Sequence, residues 1–341
     1  MNQHSRLRAV VVGAGVLGLA AARALRQRGA SVTVLDPDPG ASASAAAAGM
    51  ISPALEAALE EASPERAALY REAAARWRRF ARDAGVELVE EGADWLGPVQ
   101  PMADRLAALG FAVEAGPDRL HVPGEARLNP LQALRALSGP DAPEPLLVTG
   151  IDLEGPRPVI STGERDVEAD VVVLAAGWAS GRIACAPLQR LCRHITPVKG
   201  QIISLDGEGA AAVQRMTRAP DVYLLPSDIG VIAGATMEPG VADGAVEDAV
   251  VERLRRAAIA AVPELERTVV REAWAGVRGA TPDGLPMAGA AGVRGVFAAL
   301  APRRNGWLLA PLVGEAVAAA VAGETPPPWA GAFRPDRFDP A

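Results

Sequence analysis

Residues 8 to 36 read, in order, as strand, glycine turn, helix and strand, and no other part of the chain limits its fold so tightly. Val10, Val11 and Val12 are β-branched and apolar, as a buried parallel strand requires. Gly13-x-Gly15-x-x-Gly18 follows at once. AAARALRQRG then reads as a helix that Gly29 stops, and SVTVLD as a second strand ending at Asp36. Strand, helix and terminal acid in register turn a weak glycine pattern into the βαβ unit of a dinucleotide site. Gly13 permits the tight turn, Gly15 lets the backbone approach a pyrophosphate, and Gly18 lets helix and strand pack closely. The N–H groups at the helix start, Val16 and Leu17, face the phosphates. Asp36 is placed to accept hydrogen bonds from the adenosine ribose, which disfavours NADP but leaves NAD and FAD open.

The next segment, GASASAAAAGM at 40 to 50, allows two readings. Ser44 and the Ala45–Gly49 run form either a second helix N-terminus against the pyrophosphate or flavin ribityl chain, or a plain alanine helix.

The bulk numbers exclude several classes. A length of 341 residues suggests two domains, and half of them are hydrophobic, enough for a large core. A net charge of -7 argues against a nucleic-acid partner, which needs a basic face. Cys185 and Cys192 are too few for a disulfide framework or a metal site and read as buried small hydrophobes. Lys199 is the only lysine among many arginines, a bias that fits a GC-rich genome. No apolar run reaches the ~18 residues of a membrane span. The opening charges and apolar stretch mimic a signal peptide, but Gly13, Gly15, Gly18 and Arg23 interrupt it. The expectation is a cytoplasmic protein with an intact N-terminus.

Further buried strands are expected in DVVVLAAG at 170–177 and GVFAALA near 296. A long helix starts at Asn305 or Gly306, its N-terminal dipole free to face an anion unless it merely closes the core. QIISL, DVYLLP and GVIAGATM read as antiparallel strands, and GPDAPEP as a crossing loop. Residues 65 to 84 form an amphipathic helix whose stripe of Tyr70, Ala73, Trp77 and Phe80 is core. There is no internal repeat.

The chain resembles the D-amino-acid oxidase superfamily of flavoproteins, and within it the glycine oxidase (ThiO-type) branch. The matching blocks are VVVGAGVLGL, SASAAAAGMISP, DVVVLAAGWAS, TPVKGQ, VYLLP with GATMEPG, EAWAGVRGATPDGLP, RNGWLLAP and WAGAFRPDR. Their order and spacing cover nearly the whole chain. The resemblance implies an α/β protein with a discontinuous Rossmann-type FAD-binding domain (1–85, 145–195 and 272–341). It also implies an α+β substrate domain on an antiparallel sheet (86–144 and 196–271). FAD would be held without a covalent bond by Gly13, Gly15, Val16, Leu17, Gly18, Asp36 and Pro37. Ala43, Ser44, Ala48, Gly49, Met50, Val148 and Gly177 would add to that site. So would Arg303, Arg304, Asn305, Gly306, Trp307 and Leu308, with the last helix beneath the flavin N1–C2=O edge. Arg278 matches the arginine that anchors the substrate carboxylate, and Tyr223 the tyrosine that assists it. Arg304 matches a second active-site arginine, and Met237 a wall residue.

The implied reaction is oxidation of glycine or a small D- or N-substituted amino acid. A hydride passes from the α-carbon to flavin N5, the imine hydrolyses, and O2 is reduced to H2O2. The imine would serve thiamine thiazole synthesis. A dehydrogenase passing electrons to a carrier, an NAD enzyme and a non-catalytic flavin-binding scaffold stay open as alternatives, as does a homo-oligomer. No metal is expected. His4, His121 and His194 lie outside the matching blocks and read as structural.

The chain also departs from the branch. Where the family has Gly-His-aromatic-Arg-Asn-Gly before the last helix, this sequence has Ala301-Pro302-Arg303-Arg304-Asn305-Gly306. Pro302 removes a backbone donor, Arg303 puts a charge where a ring is usual, and Trp307 replaces a smaller aliphatic. Ser227 stands for the Arg after Pro226, and Gly279 for the Pro after Arg278. These changes fall on the flavin edge and the pocket mouth, so they bear on glycine as substrate and O2 as acceptor.

Overall fold

The computed structural model describes residues 6–339, so His4 lies outside the described residues. Its first sheet has five strands, in the order Met287–Ala290, Val296–Leu300, Val171–Leu174, Arg8–Val12 and Ser31–Leu35. The last four run parallel, with Val10 opposite both Val172 and Thr33. Met287–Ala290 adds an antiparallel edge. Val171–Leu174 is buried at every residue, as a parallel strand covered on both faces must be.

The helix Val16–Gln27 leaves the glycine turn and packs against the C-terminal helix Gly306–Val321. Their approach is close because residue 314 is glycine; a Cβ there would lie 2.7 Å from the carbonyl oxygen of Ala20. Pro311, inside that C-terminal helix, has no N–H to give the carbonyl of Trp307. The indole Nε1 of Trp77 takes its place, 3.0 Å from Trp307 O and 3.1 Å from Leu308 O. Trp77 comes from the helix Pro64–Ala84, which Ser63 caps and Gly85 ends in the left-handed region (φ 69). Tyr70, Ala73 and Trp77 are buried there and Phe80 is partly buried, in line with the expected stripe.

The second sheet has nine strands and is antiparallel except where Met216–Ala219 lies beside Ala93–Trp95. Its spine is the pairing of Thr196–Gly207 with Thr268–Ala280. Val222–Ser227 and Gly230–Gly234 continue it beside Thr196–Gly207. The return to the first sheet, expected at residue 272, therefore falls after Ala280, because hydrogen bonding to Thr196–Gly207 holds the strand in the second sheet to that point. The helix Pro130–Ser138, expected with the second domain, packs instead on Val16–Gln27 through Ala133, Leu134 and Leu137. Within 145–195 a small antiparallel sheet (Gly150–Asp152, Val159–Ser161, Asp166–Glu168) precedes the return to Val171.

The segment 40–50 is neither of the expected helices; beyond a 3-10 turn at Pro39–Ala41 it is a chain of turns. Ser42 O still accepts from Ala45 N and Ala46 N, but the next carbonyls along are taken by outside donors. Trp307 Nε1 donates to Ser44 O (3.2 Å) and Trp274 Nε1 to Ala46 O (2.9 Å).

Cys185 and Cys192 are buried free thiols, and burial pushes that of Cys192 up to about 11. His121 pairs with Asp94 (2.9 Å) and His194 with Asp339 (3.0 Å). Lys199 is 2 % exposed, its Nζ 2.9 Å from Asp243 and 3.2 Å from Glu247, tying the second sheet to the start of helix Asp248–Ala261. Among the described residues no helix is long and apolar enough to cross a membrane, and no group of side chains has the make-up of a metal site.

Candidate functional site

A cleft of about 480 Å³ opens at the carboxyl end of the parallel strands, floored by the glycine turn. The three glycines differ in what a side chain would meet. At Gly13 (φ 111) a Cβ would fall 2.4 Å from Ala175 O, and at Gly18 2.1 Å from Gly13 O, so both are fixed by packing. At Gly15 the nearest atom is Ser44 Oγ at 3.4 Å, so its bare backbone faces the cleft. Ser44 Oγ accepts from Val16 N (3.0 Å) at the helix start. Asp36 Oδ2 accepts from Ala14 N (2.7 Å) and Oδ1 from Asp38 N (2.9 Å), which fixes the carboxylate at the cleft edge.

Of the residues expected around the cofactor, Gly13, Gly15, Val16, Leu17, Asp36, Pro37, Ala43, Ser44, Val148 and Gly177 line this cleft. Arg303, Arg304, Gly306 and Trp307 line it too. Gly18, Asn305 and Leu308 do not; they pack behind it, Asn305 and Leu308 being buried. Ala48, Gly49 and Met50 face a second cavity of about 270 Å³. Arg278, Arg304 and Trp307 line both spaces. The cradle of glycines, the helix start and the terminal acid suit a dinucleotide, and the start of helix Gly306–Val321 at the same cleft suits the anionic edge of a flavin.

Tyr223 and Met237 line the second cavity with Arg278, so all four expected substrate residues meet there. Arg278 lies across Gly200 of the neighbouring strand, and Tyr223 lies across Gly234, where a Cβ would be 2.5 Å from the hydroxyl. The Arg278 guanidinium touches Met237 Sδ at 3.7 Å and has no ion-pair partner among the described residues. Burial lowers its pKa from the usual arginine value, yet a guanidinium stays cationic. Burial pushes the Tyr223 hydroxyl up to about 12 against the pull of Arg278, Arg218 and Arg304, so it is a proton donor at neutral pH.

Arg304, by contrast, is occupied. Its Nη2 sits 2.9 and 2.8 Å from the two carboxylate oxygens of Glu56, whose Oε1 also accepts from Arg218 Nη1 (2.9 Å). Burial works to raise the Glu56 pKa, but Arg304 and Arg218 win and hold it below the usual carboxylate range. Four residues on, Glu60 accepts from Tyr70 Oη (2.8 Å), which in turn accepts from Asn305 Nδ2 (2.9 Å). Burial, then Glu60, raises the Tyr70 pKa. Both glutamates belong to the short helix Pro53–Leu59 and its C-cap. Buried Glu125 closes that helix's start, accepting from Ala54 N (2.8 Å), Leu55 N (3.2 Å) and the Ser52 hydroxyl. Glu56, Glu60, Arg218 and Glu125 were not among the expected site residues. The acids at 56 and 60 in ALEAALEE share a helix face, the one local signal of this group.

The altered loop before the last helix has two left-handed residues, Ala301 (φ 57) and Arg303 (φ 52), around Pro302. For a side-chain-bearing residue each costs roughly 1–2 kcal/mol. Arg303 N donates to Gly279 O (3.0 Å) and Asn305 N to Pro302 O (3.0 Å), which hold the turn. Pro302 and Arg303 both line the cofactor-sized cleft, and Arg303 Nη1 reaches to 3.8 Å from Glu60. Gly279 lies against Trp178 N, 3.2 Å from where a Cβ would be. Ser227 lines neither cavity; its hydroxyl closes the hairpin turn by donating to Gly230 O (3.0 Å).

Comparison with known proteins identifies the family and the fold. The family described as DAO, FAD dependent oxidoreductase, matches residues 8–320. A glycine oxidase of Pseudomonas aeruginosa is 31% identical over 362 residues, covering 94% of this chain and 96% of that protein. The bifunctional protein ThiO/ThiG of Trichormus variabilis is 28% identical over 96% of this chain, which spans 55% of that relative's length. The crystal structure of glycine oxidase from Geobacillus kaustophilus superposes with a TM-score of 0.84 at 27% identity, covering 97% of this chain and 99% of that one.

Proposed function

The chain belongs to the FAD dependent oxidoreductase family DAO, and from that premise we propose that it is an amino acid oxidase of glycine-oxidase type. Its substrate is glycine or a small D- or N-substituted amino acid. One observation carries this reading: Arg278, a cation without an ion-pair partner among the described residues, lines both cavities, beside Tyr223 and Met237 in the second.

The glycine turn, Asp36, Ser44 and the start of helix Gly306–Val321 hold FAD without a covalent bond. Bound there, FAD would supply the two-electron acceptor for the hydride leaving the substrate α-carbon, with O2 as the final acceptor to give H2O2. The fork of Arg278 binds the substrate carboxylate in two hydrogen bonds. Tyr223 donates a third. Arg304 is already paired with Glu56 and lies 4.0 Å from Glu60, so it shapes the cavity rather than anchoring the acid. Among the described residues the cavity wall has no histidine or lysine, Asp221 lies exposed at its rim, and Glu56 is held ionised between two arginines, so no buried wall group is poised to accept the amine proton. The amine therefore reacts as the neutral form, and its lone pair assists loss of the hydride. The imine product suits a supplier for thiamine thiazole synthesis.

The second reading, a dehydrogenase that passes electrons to a carrier, is favoured by Pro302 and Arg303 on the cleft wall, where the branch has other residues. The test is a panel of amino acids and amines under anaerobic conditions, followed by oxygen uptake. Bleaching of the flavin by an amino acid with oxygen uptake on turnover supports the oxidase. Bleaching without oxygen uptake supports the dehydrogenase, and a flavin that no amine bleaches overturns both.

A further inference from the structure

The strand Thr196–Gly207 uses both of its faces at one point. Gly200 makes room for the Arg278 guanidinium on one face. Side chains alternate along a strand, so those of Lys199 and Gln201 turn to the other face. Both are buried, and neither lines either cavity.

They hold a segment that the backbone leaves loose. The chain leaves the short strand Glu238–Pro239 through one bond from Gly240 N to Pro197 O (2.8 Å) and enters the helix Asp248–Ala261. In between, residues 242–246 make no backbone–backbone hydrogen bond to any described residue. Side chains do the holding instead. Lys199 Nζ donates to Asp243 Oδ1 (2.9 Å) and Glu247 Oε1 (3.2 Å) and lies 4.0 Å from Glu238 Oε2. Gln201 Oε1 accepts from Glu247 N (2.8 Å), and its Nε2 donates to Glu238 Oε1 (3.0 Å) and Glu247 Oε1 (3.2 Å). The chain's only lysine thus gathers three carboxylates that repel one another without it. Gly244, the residue after Asp243, lines the cofactor cleft, as do Ala275, Gly276 and Val277 of the paired strand Thr268–Ala280.

We propose that residues 240–247 are a strap along the edge of the cofactor cleft, and that Lys199 is the positioning residue that holds it there. Retention of FAD then depends on a side chain that borders neither cavity. Held, the strap keeps Gly244 in the cleft wall; released, it opens the cleft on that side and FAD escapes faster. The proposal rests on FAD occupying that cleft.

The experiment follows the FAD-loaded protein in two ways, by the rate of FAD release, read as recovery of flavin fluorescence on dilution, and by hydrogen exchange with and without FAD. In the wild type, FAD should slow exchange at the glycine turn 13–18 and also at 240–247. Slowing at the turn alone overturns the strap and leaves the cofactor reading standing. Lys199→Met should release FAD on the order of tenfold faster, the effect of one charge-assisted hydrogen bond, and FAD should then slow exchange at the turn only, a local change that general loss of stability would not produce. Asp243→Asn with Glu247→Gln guards against misfolding, since both side chains are more than half exposed and an asparagine can still accept from Ala245 N. This pair should release FAD several-fold faster, and release at the wild-type rate overturns the proposal. Adding Lys199→Met to the pair should bring release no faster than Lys199→Met alone, because one link is already broken. Losses that add would mean that Lys199 does not act through the strap.

Discussion

Arg278 lies across Gly200: a methyl group on residue 200 would fall 2.1 Å from its Nη1 and 2.7 Å from its Cζ. The strand pairing fixes the backbone, with Arg278 opposite Val198 and Gly200 two residues along, so it is the guanidinium that must move. Gly200→Ala should therefore keep FAD and the fold but displace the guanidinium. A misplacement near 1 Å costs on the order of 10² in rate, so kcat/KM should fall by about that factor, with KM rising. Unchanged kinetics would mean that the guanidinium does not work from where it lies.

Removing the anchor itself is the stronger change. Losing one partner of a buried charged pair costs roughly 3–5 kcal/mol, or on the order of 10² to 10⁴ in kcat/KM. Arg278→Ala should show a loss of that size on the best amino acid, much of it in KM, since the carboxylate is held in ground and transition states alike. Arg278→Lys should recover only part, because an ammonium lacks the planar fork. The decarboxylated amine should barely notice either change. Equal slowing on acid and amine would assign Arg278 a structural role.

The glycine turn separates fold from cofactor. A side chain at Gly15 meets only Ser44 Oγ at 3.4 Å, whereas one at Gly18 meets backbone at 2.1 Å. Gly15→Val should purify as a folded but colourless protein, and Gly18→Val should fail to fold. Circular dichroism and the flavin absorbance of the purified proteins distinguish the two outcomes. In the wild type, acid precipitation should release FAD to the supernatant.

Glu125 makes stability depend on pH. Burial raises its folded pKa to about 7, from 4.5 for an ordinary glutamate, against the pull of Ser52 and the Ala54 and Leu55 amides. The folded state therefore holds a proton that the unfolded state releases between these values. Stability from this group is complete below pH 4.5 and is lost as pH rises to about 7. The loss approaches about 3 kcal/mol. Glu125→Gln, which cannot ionise, should lack this fall. Urea unfolding of both proteins at pH 5 and pH 8 measures it, and parallel curves would place the proton elsewhere.

The bond from Trp77 to the Trp307 carbonyl can be removed without emptying the core. Trp77→Phe leaves a ring but no donor, and the acceptor that Pro311 cannot serve becomes an unpaired buried group. The expected loss is roughly 1–3 kcal/mol in unfolding free energy. A loss no larger than that of Phe80→Leu in the same helix would show that the bond adds little.

Much of this was legible in the sequence because it is local. The βαβ unit, the amphipathic stripe from Tyr70 to Phe80 and the strands in DVYLLP and GVIAGATM each follow a short period, and each stands where expected. Arg278, Tyr223 and Met237 were reachable only through resemblance, since two distant strands and the link after Gly234 bring them together. The Glu56–Arg218 pair was not reachable at all. Its members are 162 residues apart, and an ion pair leaves no periodic mark at either end. The turns at 40–50 were hidden for a similar reason: an alanine run suggests a helix until two distant indoles claim its carbonyls. The crossing after Ala280 was set early because the strand outlasts its apolar pattern, its middle residues being half-buried at the cleft.

Because Arg278, Arg304 and Trp307 each face both the cofactor cleft and the substrate cavity, they link two properties that an evolving enzyme would otherwise adjust one at a time. A change at any of them that admits a new side chain also alters the surroundings of the flavin, so new specificity there should come with a shifted absorbance spectrum. Met50, Leu59, Ala219 and Met237 border the substrate cavity alone. Those four positions are where a laboratory selection for new amines can work without retuning the redox centre, and successful variants should accumulate there first.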